Sequence, residues 1–364
     1  MRIEYSQWSG PSPDDINFLR QLLEIYRNLL LQAGGDVEKA LQWMKALGEQ
    51  YGFFNDEFGL EEFKALLEEA GEAERMSSGA MRITPRGERT IRKDSLNEIF
   101  NALKADGAGQ HRTPMAGRGG ERLAETRSWR FGDSPSDIDP LTSMSNAVRN
   151  HGLDELTIEE EDLAVFENEH ASVCATVLMV DVSHSMVLYG EDRITPAKRI
   201  ALALTELIQT RYPKDSLDVV LFGDEAIQVP LRDLIRIEAG PFHTNTRAGL
   251  RLSREILDTR RGVNKQIFMI TDGKPSCIHE GARLYKNPYG LDPKIVNRTL
   301  EEASYCRKKR ITITTFMLAA DPPLISFVEE LTRLNRGRLY QTDPDSLGTY
   351  VYRDFIKNRR RRVH

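Results

Sequence analysis

The apolar positions of this chain change their period along its length, and each change predicts a different kind of element. From residue 14 to 70 they recur at three- and four-residue steps. Phe18, Leu19, Leu22, Leu23, Ile25, Tyr26, Leu29 and Leu30 form one such face, which stops at Gly34-Gly35. That spacing predicts amphipathic helices. Asp36 is placed to cap a second helix with Ala40, Leu41, Trp43, Met44 and Leu47 inward, and Leu60, Phe63, Leu66 and Leu67 mark a third. Thr84-Pro85 reads as an N-cap with proline at the first helical position, ahead of Ile91, Leu96, Ile99, Phe100 and Leu103. Residues 1–104 are therefore expected to be a helical module.

Between residues 105 and 151 the pattern breaks down. Gly107, Gly109, Gly117, Gly119 and Gly120 stand among Pro, Ser, Asp and Arg with few apolar residues, which predicts a flexible Gly/Arg-rich linker. Leu153 to Glu169 is strongly acidic, and Leu163, Val165 and Phe166 within it predict a short strand. The second domain is expected to run from 152 to 364.

In that domain the period becomes that of alternating strands and helices. Val173 to Val180 is apolar but for Thr176 and rich in β-branched residues, which predicts a strand buried on both faces. A helix is expected after Thr195-Pro196 up to Tyr212, then a strand over Leu217–Phe222 with a hairpin partner over Ala226–Leu231. Further helices are expected at 246–257, 293–309, 322–334 and 344–357, with strands at 266–271, 311–318 and 337–340. Strand and helix repeated in this way predict an α/β fold: a doubly wound, mostly parallel, Rossmann-like sheet beside the smaller N-terminal helical domain. Ligands of such sheets lie at the carboxyl ends of the strands.

Composition narrows the class. A chain of 364 residues with 40% hydrophobic and 29% charged residues fits a globular protein of about two domains. No run of about 18 apolar residues is present, and Met1 to Trp8 lacks the apolar core of a signal peptide, so a cytoplasmic location is expected. Three widely spaced cysteines, Cys174, Cys277 and Cys306, give neither a disulfide framework nor a zinc site. A net charge of −5 argues against the whole chain being a nucleic-acid binder, although arginines gather at Arg112–Arg130 and Arg359–Arg362. The Thr84-Pro85-Arg86-Gly87 segment resembles the helix opening of some winged-helix DNA-binding domains.

Three loops at strand ends carry the chemistry. The first is Asp181-x-Ser183-x-Ser185; the second is Phe242-His243-Thr244-Asn245-Thr246; the third is Thr271-Asp272-Gly273. Two carboxylates and three hydroxyls are hard oxygen donors, which suit Mg²⁺. The pattern Asp-x-Ser-x-Ser, then Thr, then Asp resembles the von Willebrand factor A (VWA) domain with its metal-ion-dependent adhesion site (MIDAS), over roughly residues 170 to 355. The resemblance implies that Asp181, Ser183, Ser185, Thr244 and Asp272 hold Mg²⁺, with Mn²⁺ or Ca²⁺ able to replace it. Thr246 stands as the alternative to Thr244. It also implies a coordination position left for an Asp or Glu of a partner protein. His184 is expected at the rim, and His243, Lys274 and Tyr285 are candidate partner contacts, as is the long loop Lys274–Asp292 with Cys277 and His279.

An N-terminal helical region with a VWA domain resembles the bacterial CoxE-like and magnesium-chelatase D-like proteins. Such proteins work with a MoxR-type AAA+ ATPase in complex assembly or metal insertion, so an adaptor that is not itself an enzyme is expected. No GxxxxGK[ST] phosphate loop is present. The alternatives are a nucleic-acid-associated protein using the arginine runs, or a metal-dependent hydrolase with Asp181 as nucleophile. Against the hydrolase, Ser183 stands where a dehalogenase-like phosphatase needs a second Asp, and no residue is evident that would orient His243 as a base.

Overall fold

The computed structural model describes residues 13–54, 58–105, 122–129, 138–152, 157–168, 173–190, 192–260, 264–272, 274–281, 283–287, 289–318 and 321–359. They fall into two units, one made of residues up to 107 with 174–353, the other of 108–173 with 354–364.

The first unit begins with the expected helices: α1 (Pro13–Gln32), α2 (Val37–Tyr51), α3 (Leu60–Glu69) and α4 (Pro85–Ala105). Asp36 caps α2 by accepting from the Lys39 N–H at 3.1 Å, and Thr84 Oγ1 accepts from the Gly87 N–H at 3.0 Å at the start of α4. Between α3 and α4 stands a hairpin, β1 (Ala73–Arg75) with β2 (Met81–Ile83), whose three-residue strands are too short to show alternation. Tyr26 and Phe63 meet edge to face in the core of the module at 5.7 Å between ring centroids. Arg27 bridges Glu72 and Asp94, the latter at 2.7 Å, and so ties α1 to the hairpin and to α4.

The second unit occupies part of the expected linker. β3 (Arg122–Ser128) pairs antiparallel with β4 (Ala164–Asn168), and α5 (Pro140–His151) lies between them in sequence. The segment 105–151 thus contains a strand and a helix, and the domain boundary expected at 152 falls near 173. The reason lies in how this unit is held. Asp162 is buried, accepts from the Glu159 N–H (2.9 Å) and from Asn150 (2.6 Å), and contacts His151 Nε2 (3.0 Å); Asp139 caps α5. Polar fasteners of this kind leave no periodic apolar trace.

From residue 174 the strand–helix alternation returns. The order is β5 (Cys174–Asp181), α6 (Ile194–Arg211), β6 (Ser216–Phe222), β7 (Ala226–Val229), α7 (Thr246–Asp258) and β8 (Asn264–Thr271). A hairpin of β9 (Cys277–Glu280) and β10 (Arg283–Lys286) follows, then α8 (Pro293–Lys308), β11 (Ile311–Met317), α9 (Pro322–Asn335), β12 (Arg338–Gln341) and α10 (Leu347–Arg359). Six strands make one sheet in the order β12-β11-β8-β5-β6-β7, all neighbours parallel except β6 and β7. Every residue of β5 is buried, as a run that is apolar but for Thr176 and the terminal Asp181 requires at the centre of a parallel sheet.

One face of the sheet packs Val177, Met179, Ile267 and Met269 against Leu250, Leu257, Ala303, Val328 and Leu331 of α7, α8 and α9. Gly249 lets α7 come close: a Cβ there would lie 2.7 Å from Met179 Cε. On α6, Arg199 bonds Glu98 at 2.5 Å and Asn28 at 2.8 Å, which joins the helical module to the sheet domain. Among the described residues no helix is long and apolar enough to cross a membrane.

Candidate functional site

Chain order and strand order together fix where the loops meet. β5 comes first in the domain yet sits in the middle of its sheet; β6 lies on one side of it and β8 on the other. The connections leaving β5 and β8 therefore diverge, opening a crevice at their carboxyl ends. The register sets Val180 opposite Ile270, so Asp181 stands level with Thr271, and Asp272 follows one residue on. Thr271 Oγ1 donates to Asp181 Oδ2 at 2.7 Å, and the Ser183 N–H donates to Asp181 Oδ1 at 2.9 Å.

Backbone bonds stitch the three loops together. The Gly240 N–H donates to Val182 O (3.0 Å), the His184 N–H to Phe242 O (3.1 Å) and the Asn245 N–H to Gly223 O (2.8 Å). Thr244 joins the second loop to the third: its N–H donates to Ser276 Oγ at 2.9 Å, and its carbonyl accepts from the Ser276 N–H at 2.9 Å. Thr246 is the first residue of α7, one step past the cap Asn245, whose side chain accepts from the Ala248 N–H. Asp181, Ser183, Thr244, Thr246 and Asp272 are all buried. Ser183 and Ser185 place their hydroxyl oxygens 3.0 Å apart. Gly273 lies outside the described residues.

The electrostatics of this crevice are unfavourable to an empty, ionised site. Burial, and then the negative charge of Asp272, push the Asp181 carboxyl up to about 7. Burial also raises Asp272, while a hydrogen bond from Ser185 and the Arg193 guanidinium pull it back. Arg193 Nη1 lies 3.9 Å from Asp272 Oδ2. Oδ1 of Asp272 is buried and has no hydrogen-bond partner among the described residues. A buried carboxylate oxygen left without a donor, beside a second carboxylate and a pair of hydroxyls, fits a small hard cation.

Several expectations are corrected at the rim. His243 is held after all: Asp224 Oδ1 lies 3.0 Å from its Nδ1 and accepts from its backbone N–H at 2.7 Å. The signal for this was the Gly223-Asp224 turn closing β6, which meets His243 only in three dimensions. Tyr285 is engaged within the chain, its hydroxyl donating to Asp292 at 3.0 Å and its ring lying under Lys294 Nζ. Cys277, expected at the rim, is fully buried, and burial raises its thiol to about 12, which keeps it protonated. The supposed loop Lys274–Asp292 contains the β9–β10 hairpin. Asp192, two residues before α6, accepts from the N–H groups of Ile194 and Thr195, so Thr195 lies inside the first turn and does not cap it. His184 is exposed and Lys274 half-buried, as rim residues. Arg193 and Ser276 also shape the site and carry no recognisable motif.

Residues 174–356 match the vWA domain of the Rv0959-like proteins, and residues 121–168 match the third domain of the same proteins. The chain belongs to the Rv0959-like family. The Rv0959 protein of Mycobacterium tuberculosis and the Mb0984 protein of Mycobacterium bovis are each 31% identical to it over 377 residues, covering 98% of this chain. The chain spans 55% of the length of these curated relatives. Among solved structures, the PilB minor pilin of Streptococcus sanguinis is similar at 15% identity and a TM-score of 0.44, over 54% of this chain and 64% of that one. The vWF domain of the pili tip protein Mfa5 of Porphyromonas gingivalis is similar at 15% identity and 0.41, over 53% and 98%. The third-domain match falls on the β3–α5–β4 unit and so accounts for the fold found inside the expected linker.

Proposed function

We propose that Asp181, Ser183, Ser185, Thr244 and Asp272 hold a divalent cation and that the vWA domain uses it to bind an acidic side chain of a partner protein. Mg²⁺ is favoured by the all-oxygen donor set, and Mn²⁺ or Ca²⁺ can stand in for it. The observation that carries this reading is the orphaned, buried Oδ1 of Asp272 beside the paired Ser183 and Ser185 hydroxyls. Thr244 is preferred over Thr246 because its backbone sits at the junction of the second and third loops. Two carboxylates do no more than balance the charge of a divalent cation and the three hydroxyls are neutral donors, so a coordination position left open stays electron-poor and attracts a further anionic oxygen. His184, His243 and Lys274 lie on the loops that would frame that oxygen.

A MoxR-type AAA+ ATPase is the partner class implied by the likeness to CoxE-like and magnesium-chelatase D-like proteins, and the domain is read as an adaptor rather than an enzyme. The test is co-purification from native cells in Mg²⁺ or in chelator, with wild type and Ser183→Ala. Partners lost in chelator and in the variant support the reading; partners retained in both overturn it.

The Asp224–His243 pair favours a second reading, metal-assisted hydrolysis. A carboxylate at Nδ1 orients the imidazole and leaves Nε2 as the nitrogen that could take up a proton, the arrangement a general base needs. Metal-dependent turnover of p-nitrophenyl phosphate that disappears in His243→Ala would replace the adaptor reading with this one.

A further inference from the structure

The amino-terminal edge of the sheet is strongly cationic, and its residues take no part in the site above. The α8–β11 turn carries Arg307, Lys308, Lys309 and Arg310; the neighbouring α9–β12 turn carries Arg333 and Arg336. All six are exposed. Arg307 Nη1 donates to Leu334 O at 3.2 Å, joining the two turns. The acids paired with this group are Asp258, 2.9 Å from Lys309, and Glu330, 3.9 Å from Arg333. Tyr305 stands among the cations, 42% exposed, with Lys308 Nζ 5.2 Å from its ring centroid. Its hydroxyl bonds Glu301 at 3.4 Å.

Basic residues in a last helical turn offset the helix dipole, which accounts for Arg307, Lys308 and Arg333. It does not account for Arg310 and Arg336. Each follows a helix with left-handed backbone, φ 58° and 57°, and among the described residues they are the only non-glycine residues with positive φ. Glycine is the usual residue at such helix ends because it has no Cβ to clash. Two adjacent turns thus forgo glycine for arginine, and neither side chain makes an ion pair or hydrogen bond among the described residues. Backbone strain retained at two neighbouring positions, with both guanidinium groups left unengaged, is a sign of use. The register sets Thr314 opposite Arg338, which staggers the two arginines by two residues, roughly 7 Å along the strand direction.

We propose that this edge binds the sugar-phosphate backbone of single-stranded nucleic acid, with Arg310 and Arg336 on phosphates and Tyr305 offering its ring to a base. Guanidinium groups pair phosphate oxygens two at a time. An exposed aromatic ring among cations provides a stacking surface for a base. The chain's net negative charge does not oppose this, because screening beyond about 8–10 Å leaves the local charge to decide. These residues are distinct in sequence from the arginine runs at 112–130 and 359–362, much of which lies outside the described residues. The inference stands whether or not a cation occupies the opposite edge.

The test uses the full chain and fluorescence anisotropy with a labelled single-stranded RNA of about 20 nucleotides, long enough for one binding surface. Arg310→Gly with Arg336→Gly is expected to weaken binding roughly tenfold at low salt and to lower the salt slope by about 0.7 for each phosphate that is no longer neutralised. The same double variant is expected to melt at a temperature equal to or above that of wild type, an outcome opposite to that of arginines kept for stability. Tyr305→Ala is expected to weaken RNA binding and to leave weak polyglutamate binding unchanged. Unaltered RNA affinity in the double variant, a lowered melting temperature, or polyglutamate bound as tightly as RNA would each overturn the proposal, the last in favour of an acidic protein partner.

Discussion

At the carboxyl edge of the sheet, Asp181 and Asp272 are buried side by side, on loops brought together from positions ninety-one residues apart (272 − 181 = 91). At the amino edge, Arg307 to Arg310, Arg333 and Arg336 are exposed at two helix-to-strand turns. Buried like charges are costly until something of opposite sign joins them, so the first edge is organised around one tight event. Exposed charges cost little to hold and give little singly, so the second edge can act only through several weak interactions at once. Losing one ligand at the carboxyl edge should therefore be felt as a whole, whereas losses at the amino edge should add up.

The largest expected effect tests how firmly the amino edge is held. A Cβ at Gly337 would lie 1.9 Å from Ile313 O, and Asn335 beside it bonds the Ile313 N–H (2.7 Å) and the carbonyls of Ala303 (3.2 Å) and Ile311 (3.1 Å). Gly337→Ala should cost about 3 kcal/mol or more, and Asn335→Ala about 2–3 kcal/mol by leaving buried groups unpaired. Urea denaturation measures both; a change under about 1 kcal/mol in either would mean the edge adjusts more easily than its packing implies.

Next in size is the response to metal. Mg²⁺ at a hundredfold excess over Kd should stabilise the wild-type chain by roughly 2.7 kcal/mol, and Ser183→Ala should lose most of that gain. Differential scanning calorimetry with and without chelator checks this, and an equal gain in the variant would count against the ligand set.

The same edge gives a pH effect, measured without divalent metal. Asp181 titrates in the folded chain near 7 against an ordinary 3.8, so the folded state binds its proton more tightly than the unfolded state does. Its contribution is fully present below about pH 4 and is lost as pH rises towards 7. Melting temperature should fall across that window, Mg²⁺ should restore it at the upper end, and Asp181→Asn should flatten the dependence. The smallest effect is that of Arg310→Gly with Arg336→Gly, a gain of up to about 1 kcal/mol as left-handed strain is relieved. A loss would show that these arginines serve the fold.

Much of this was legible in order along the chain. Val173 to Val180 announced a central strand, and the oxygen side chains after it marked a strand end where ligands collect. β4 was legible in Leu163, Val165 and Phe166, but its partner β3 and the helix α5 were not, because Asp162, Asn150 and His151 hold that unit through polar contacts with no apolar period to read. The role of Asp224 was hidden for a different reason: it sits nineteen residues from His243 in sequence (243 − 224 = 19), and only the return of the second loop onto the end of β6 joins them.

By itself the sequence determined the helices of the N-terminal module, the strand–helix alternation after residue 173 and which residues stand at strand ends, since periodicity, caps and turn residues act over a few neighbours. Only the tertiary structure decided that β5 lies between β6 and β8, and from that the meeting of Asp181 with Asp272, the orphaned Oδ1 and the tethering of His243 all follow. Strand order is set by which apolar faces can be buried together across the whole domain, and no local pattern records it.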